Sequence, residues 1–415
     1  MNIPQEYKQT ELGIIPEDWE VKQISDFTSV VTGGTPSTQY AEYWGGDIRW
    51  MNSGELNLKF VYDVEGRITE EGLNNSSTHI IPAKCVLVGL AGQGKTRGTA
   101  AYNLVSLCTN QSIAAFLPTD THSSLYLYYV IDSLYDYLRL LSSGDGGRGG
   151  LNKQILSSLN IVLPPITEQR AIAEALSDVD GLIAALDKKI AKKRLLKQGA
   201  MQQLLTGKKR LPGFTDKWVE ITFGEYVDIY RGGSPRPIES YITDSPNGVN
   251  WIKIGDVKPN DKYINKTEER IIPDGVSRSR RVDVGDFILS NSMSFGRPYI
   301  LGIDGCIHDG WLVIQNYHNS FDKDYLYYLL CSEDVMMQYI GMAAGSSVKN
   351  LNKEKVASLQ LCVPTTIEEQ QAIATILSDM DKEIADLEAQ RDKYRLLKSG
   401  MMQKLLTGQI RLKTE

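Results

Sequence analysis

The chain repeats itself. Residues 151–211 open LNKQILSSLNIVLPPITEQRAIAEALSDVD and close RLLKQGAMQQLLTGKKRL. Residues 351–412 open LNKEKVASLQLCVPTTIEEQQAIATILSDMD and close RLLKSGMMQKLLTGQIRL. With one extra residue allowed near Thr366, 33 of 61 aligned positions are identical. A segment carried twice builds the same supersecondary unit twice. The preceding segments correspond more loosely. Trp19 matches Trp218, Gly33-Gly34-Thr35-Pro36 matches Gly232-Gly233-Ser234-Pro235, and Trp50 with Gly54-Glu55 matches Trp251 with Gly255-Asp256. Tyr126-Leu127-Tyr128-Tyr129 matches Tyr325-Leu326-Tyr327-Tyr328; these aromatics, with Trp50 and Trp251, read as core. The chain therefore divides into a globular domain over 1–160, a helical segment over 161–211, a second globular domain over 212–360 and a second helical segment over 361–415.

Each near-constant segment opens with a strand-like run ending in proline, Ile161-Val162-Leu163-Pro164 and Leu361-Cys362-Val363-Pro364. Thr167 and Thr366, each followed by acids, supply hydroxyls for a helix N-cap. Apolar residues then fall at Ile172, Leu176, Val179, Ile183, Leu186 and Ile190, and again at Ile373, Leu377, Met380, Ile384 and Leu387. Steps of four and three are the heptad rhythm of a coiled coil. Gly207 and Gly408 suit the residue after a helix end. The second domain must start near the C-terminal end of the first helix, and the second helix starts where that domain finishes. The pair is therefore expected to be antiparallel, with a pseudo-two-fold axis and a domain at each end of a rod. The fold class is mixed α/β (α+β): two similar globular domains joined by two long antiparallel coiled-coil helices.

Composition narrows the chemistry. The chain has 415 residues and a net charge of −6, which taken alone argues against nucleic acid. The charge is uneven: −7 over 1–150, +6 over 151–211, −5 over 212–350 and zero over 351–415. The basic share includes Lys188, Lys189, Lys192, Lys193, Arg194 and Lys197, a cluster that could face DNA between half-sites or an acidic partner surface, although the commonest role of such a run is a solvated helix face. Five scattered cysteines, never spaced C-x-x-C, and four unpaired histidines point to reduced thiols and no metal or other cofactor. No apolar run reaches the roughly 18 residues that span a bilayer, and no signal peptide opens the chain, so a cytoplasmic location without membrane contact is expected.

One motif points elsewhere. Gly89-Leu90-Ala91-Gly92-Gln93-Gly94-Lys95-Thr96 fits the phosphate-binding pattern G-x-x-x-x-G-K-[ST] after a strand-like run. A P-loop nucleotide-binding protein is therefore one alternative, and a coiled-coil scaffold another. Three features argue against the P-loop. Arg97-Gly98-Thr99-Ala100 is a poor helix start, and no strand ends in a magnesium-binding aspartate. The equivalent place in the second half, Ser290-Asn291-Ser292-Met293-Ser294-Phe295-Gly296-Arg297, lacks Gly-Lys-Thr.

Several motifs together carry a family resemblance. They are Glu11-Leu12-Gly13-Ile14-Ile15-Pro16-Glu17-Asp18-Trp19, the L-P-P-I-x-E-Q run at 163–169 with its partner from Val363-Pro364 to Glu369-Gln370, and the paired Leu-Leu-Lys and Leu-Leu-Thr-Gly runs at 195–197, 204–207, 396–398 and 405–408. Over nearly its whole length the chain resembles the specificity (S) subunit of type I restriction-modification systems. Asn110-Gln111-Ser112-Ile113 resembles a motif frequent in its recognition domains; His308-Asp309-Gly310 stands near that place in the second half, and the motif is not carried over. The resemblance implies a non-catalytic subunit that binds double-stranded DNA. Each recognition domain would read one half of a bipartite, asymmetric target. The helices would set the spacer and dock two methyltransferase (M) subunits, and restriction (R) motor-nuclease subunits would join. Loops with glycine, small polar residues and cations are the places for DNA contact. They supply Thr35, Ser37, Lys95, Thr96, Arg97 and Arg148 in the first domain. In the second they supply Arg231, Ser234, Arg236, Arg278, Arg280, Arg281, Ser294 and Arg297.

Overall fold

The structure, a computed structural model, describes residues 6–92, 94–142, 150–258, 261–291, 296–343 and 351–412. It falls into two compact units, one made of 1–186 with 390–415 and the other of 187–389. Each is a mixed α/β body.

In the first unit, five strands form a central sheet in the order Val30–Thr32, Ile113–Phe116, Val86–Gly89, Ala100–Asn103 and Phe60–Val61. The inner three are antiparallel and buried along their whole length. Strands covered on both faces can be apolar throughout rather than alternating. One face, with Val86, Val88, Ala100 and Phe116, packs on the Tyr-Leu-Tyr-Tyr helix Ser124–Ser133. The other face, with Leu87, Ala101, Ile113 and Ala115, packs under Met51 and Leu56. Met51 ends the strand Trp44–Met51, the middle of a smaller sheet. The second unit repeats this plan with Asp228–Arg231, Trp311–Gln315, Phe287–Ser290, Pro298–Leu301 and Tyr263–Ile264, and the helix Lys323–Leu330. Tyr126, Tyr128, Tyr129, Tyr325, Tyr328 and Trp251 are core residues, whereas Trp50 is half-buried.

The near-constant segments form the helices Ile166–Leu204 and Ile367–Leu405. Thr366 directly precedes the second helix, but Thr167 lies inside the first, which starts one residue earlier. Pro165 allows this, because its carbonyl already accepts the Gln169 amide at 3.0 Å. Gly207 and Gly408 have φ of +67° and +71°, the left-handed turn after a helix that glycine tolerates best. Ile172, Leu176, Val179, Ile190, Ile373, Leu377, Ile384 and Leu387 are buried, as the heptad predicts, whereas Ile183, Leu186 and Met380 of the same register are half-buried.

Within each unit the helix segments run antiparallel, held by a matched polar clamp. In the first, Tyr129 donates to Asp180 at 2.8 Å and Lys398 pairs with the same carboxylate at 2.7 Å. In the second, Tyr328 donates to Asp381 at 2.7 Å and Lys197 pairs with it. Lys193 and Arg194 pair with Glu383 and Glu388, so half of the basic cluster binds the opposing helix, while Lys188, Lys189 and Lys192 stay exposed. Among the described residues no helix is long and apolar enough to cross a membrane.

Candidate nucleic-acid interface

The register of each central sheet brings three connections to one edge. In the first unit the strands Val30–Thr32 and Val86–Gly89 end where Ala100–Asn103 and Ile113–Phe116 begin. The Gly33–Ser37 turn, the 90–99 hairpin and the 110–112 loop therefore converge. The Gly34 amide donates to the Thr109 carbonyl at 2.9 Å, and the Leu90 amide to Ser112 at 2.8 Å. The Thr35 hydroxyl donates to Gln111 Oε1 at 2.6 Å. A Cβ on Gly33 would lie 1.9 Å from the Thr109 carbonyl oxygen, so only glycine fits there.

The second unit repeats the edge with different side chains. A Cβ on Gly232 would lie 2.0 Å from the His308 carbonyl oxygen. The Ser234 hydroxyl donates to Asp309 Oδ1 at 3.0 Å, where Thr35 meets Gln111 in the first unit. Arg231 Nε donates to the Asp309 carbonyl at 3.3 Å, and Arg236 reaches its carboxylate at 3.4 Å. Partial burial acts to raise the Asp309 carboxyl, but the Ser234 hydroxyl, His308 and Arg236 outweigh it and hold it below its ordinary value. Arg278 and Arg280 lie over the rings of Tyr241 and Tyr230, 5.6 and 4.8 Å from the centroids. Ser279, between them, donates to the Gly233 carbonyl at 2.8 Å, which ties these arginines to the same turn.

Not every predicted contact residue gathers here. Ser37 is exposed on the first turn. Lys95 is exposed on the hairpin and Thr96 half-buried. Arg97 is half-buried and donates to Ser142 at 3.2 Å. Arg281 faces Asp283 at 3.9 Å, and Arg297 lies half-buried against the Tyr299 ring. Arg148 and Ser294 lie outside the described residues. Gln111 and Asp309 were not among the predicted contacts. A signal did exist: each stands three residues after a cysteine, Cys108 and Cys306, whose strands pair in parallel with Trp50 and Trp251.

The Gly-Lys-Thr loop is a hairpin and opens no helix. Gly89 and Thr99 close it, with the Gly89 amide donating to Thr99 at 3.1 Å, and the strand Ala100–Asn103 follows. Tyr135 and Arg139 donate into the loop, to the Lys95 carbonyl at 3.1 Å and the Gly94 carbonyl at 2.8 Å. A P-loop needs amides turned toward phosphate at a helix start. This loop instead fastens a hairpin to a neighbouring helix, which removes the nucleotide-binding alternative.

Comparison with known proteins agrees with this architecture. The model of the type I restriction modification DNA specificity domain matches residues 16–193 and 215–394. The MjaVIII type I restriction enzyme specificity subunit of Methanocaldococcus jannaschii is 25% identical over 431 residues, covering 96% of this chain and 94% of its own. The solved S subunit of the type I restriction-modification system from M. genitalium shares the fold at a TM-score of 0.59 and 14% identity, over 100% of this chain and 99% of that one. A chain from a structural study of type I system assembly and conformational transition overlays at a TM-score of 0.63 and 15% identity, covering 95% and 99%. Two matched domains, one on each unit's sheet and helix, place the chain in the type I restriction modification DNA specificity domain family.

Proposed function

We propose that the chain is the non-catalytic DNA-sequence-reading subunit of a cytoplasmic type I restriction-modification complex. The recognition domains are 1–160 and 212–360, and the spacer segments 161–211 and 361–415. Each domain reads one half of a bipartite target in double-stranded DNA through its sheet-edge loops. The contacts are Thr35, Ser37, Lys95, Thr96, Arg97 and Arg148 in one domain. In the other they are Arg231, Ser234, Arg236, Arg278, Arg280, Arg281, Ser294 and Arg297. One observation carries the reading: a scaffold built twice holds two loop sets at the same sheet edge with unlike side chains. Two readers of different chemistry make an asymmetric target.

The long helices set the spacing between half-targets and dock two methyltransferase subunits, to which restriction subunits add. Docking is supported by the repeated Leu-Leu pair. Leu195 and Leu196 in the second unit are 69% and 50% exposed, and Leu396 and Leu397 in the first are 76% and 50% exposed. Apolar pairs left in solvent at matching positions suit two copies of one partner. The test replaces 215–350 with the matching domain of a relative and maps methylated sites genome-wide after assembly with methyltransferase subunits. One half of the target should change and the other persist. A swap that altered both halves, or neither, would sink the reading.

A further inference from the structure

The two sheet edges share one backbone pairing at the same place, yet differ in charge. Val282 faces Gly305 across antiparallel strands, as Ile81 faces Leu107. Stepping back from these two residues aligns Arg281 with Ile80, Arg280 with His79, Ser279 with Thr78 and Arg278 with Ser77. A shared hydrogen bond supports the alignment: Ser279 and Thr78 each donate to the carbonyl of the strand beside them, Ile307 and Thr109, at 3.2 Å. The glycine turns align Arg231 with Thr32 and Arg236 with Ser37. Five arginines of the second unit thus stand where the first unit has no formal charge at neutral pH.

The arginines are also poised. All five are exposed. Arg236 and Arg281 have a carboxylate within 4 Å, but Arg231, Arg278 and Arg280 have none among the described residues. Arg231 is held instead by a backbone carbonyl, and Arg278 and Arg280 by tyrosine rings. Such supports orient a guanidinium without neutralising it, leaving its charge for an anion.

Resting on the DNA-reading assignment above, we infer that the second unit is the electrostatic anchor of the DNA complex. Arg231, Arg278 and Arg280 grip phosphates there, while the matching edge positions of the first unit, Thr32, Ser77 and His79, make no phosphate ion pairs. Each phosphate neutralised releases counterions, so affinity falls with salt at a slope set by the number of such contacts.

The test uses the chain assembled with its methyltransferase subunits, a duplex carrying the full target and a scrambled duplex. Affinity is measured between about 50 and 200 mM salt. The double variant Arg278→Ala/Arg280→Ala should lower the slope of log affinity against log salt by about two. Ser77→Ala/His79→Ala should leave it as in the wild type. Ser77→Arg/His79→Arg should raise it by about two, a gain that misfolding cannot imitate. An unchanged slope in the arginine double variant overturns the inference. So does a slope that holds while the methylated sequence relaxes at one position, since the arginines would then read bases. A wild-type complex that binds both duplexes alike overturns the DNA-reading assignment itself, and this inference with it.

Discussion

Arg411 and Arg210 occupy matching positions and close matching seams. In the first unit Arg411 pairs with buried Glu168 at 2.7 Å and with Asp18, while the Trp19 indole donates to the same glutamate at 3.0 Å. In the second, Arg210 pairs with buried Glu369 at 2.7 Å, and Trp218 donates to it at 3.3 Å. Removing one partner strands a buried charge, at a cost of about 3 kcal/mol. Arg411→Ala should lower the denaturant midpoint of the first unit accordingly, and Arg411→Lys should recover only part, lacking the fork. Burial acts to raise the Glu168 carboxyl, but Arg411 and Trp19 prevail and its value is lowered. A depressed carboxyl stabilises above its unfolded value, near pH 4.3, and this stability is lost as pH falls through the folded value. Wild type should therefore lose stability on acidification below about pH 4, and Glu168→Gln should flatten that part of the curve. Equal acid sensitivity in both would refute the assignment. Sequence pairs Trp19 with Trp218 at once, but not either tryptophan with its glutamate about 150 residues away, since a heptad register reports spacing and not partners.

At the scale of elements, the helices were the most legible part. A repeat with apolar residues four and three apart has one economical fold, and the buried positions follow it. The loops were legible in type but not in assembly. Gln111 and Asp309 each offer an oxygen to a hydroxyl but differ in charge and sit in unlike runs, Asn110-Gln111-Ser112 and His308-Asp309-Gly310, so alignment alone leaves them unrelated; the parallel pairing of their strands with Trp50 and Trp251 brings them to one place. The Lys95 loop was the converse, a good local pattern whose meaning depends on the strand that follows it. The helices also carry the proposed ruler function. Four residues inserted between Leu186 and Lys192 add about one turn, roughly 6 Å, and nearly keep the seam in phase. Methylation mapping should show both half-targets unchanged with one or two more base pairs between them. Two inserted residues should break the seam and abolish methylation. An active four-residue variant with the original spacing would show that something else measures the gap.

At the scale of the molecule, sequence divides the chain into four consecutive segments, whereas its compact units cut across them. The first unit is discontinuous: residues 390–412 complete a core begun by residues 6–186. Leu405 and Leu406 join Ile172 and Leu176 in its interior, and the Tyr7 hydroxyl donates to the Gly408 carbonyl at 3.0 Å. Nothing in the spacing of the repeats announces this, because a repeated segment does not say which domain its far end completes. A chain shortened to residue 389 should keep amide-exchange protection in the second unit while losing it across 166–186 and around Trp19. Uniform protection in both would contradict the division. The discontinuity also orders events on the ribosome. Residues 187–389 hold all of their own unit, but the seam of residues 6–186 around Trp19 and Ile172 stays unsealed until more than two hundred further residues have been made. The half made first is thus the half finished last, and the interval in which a chaperone or an early partner could hold this protein belongs to its first unit.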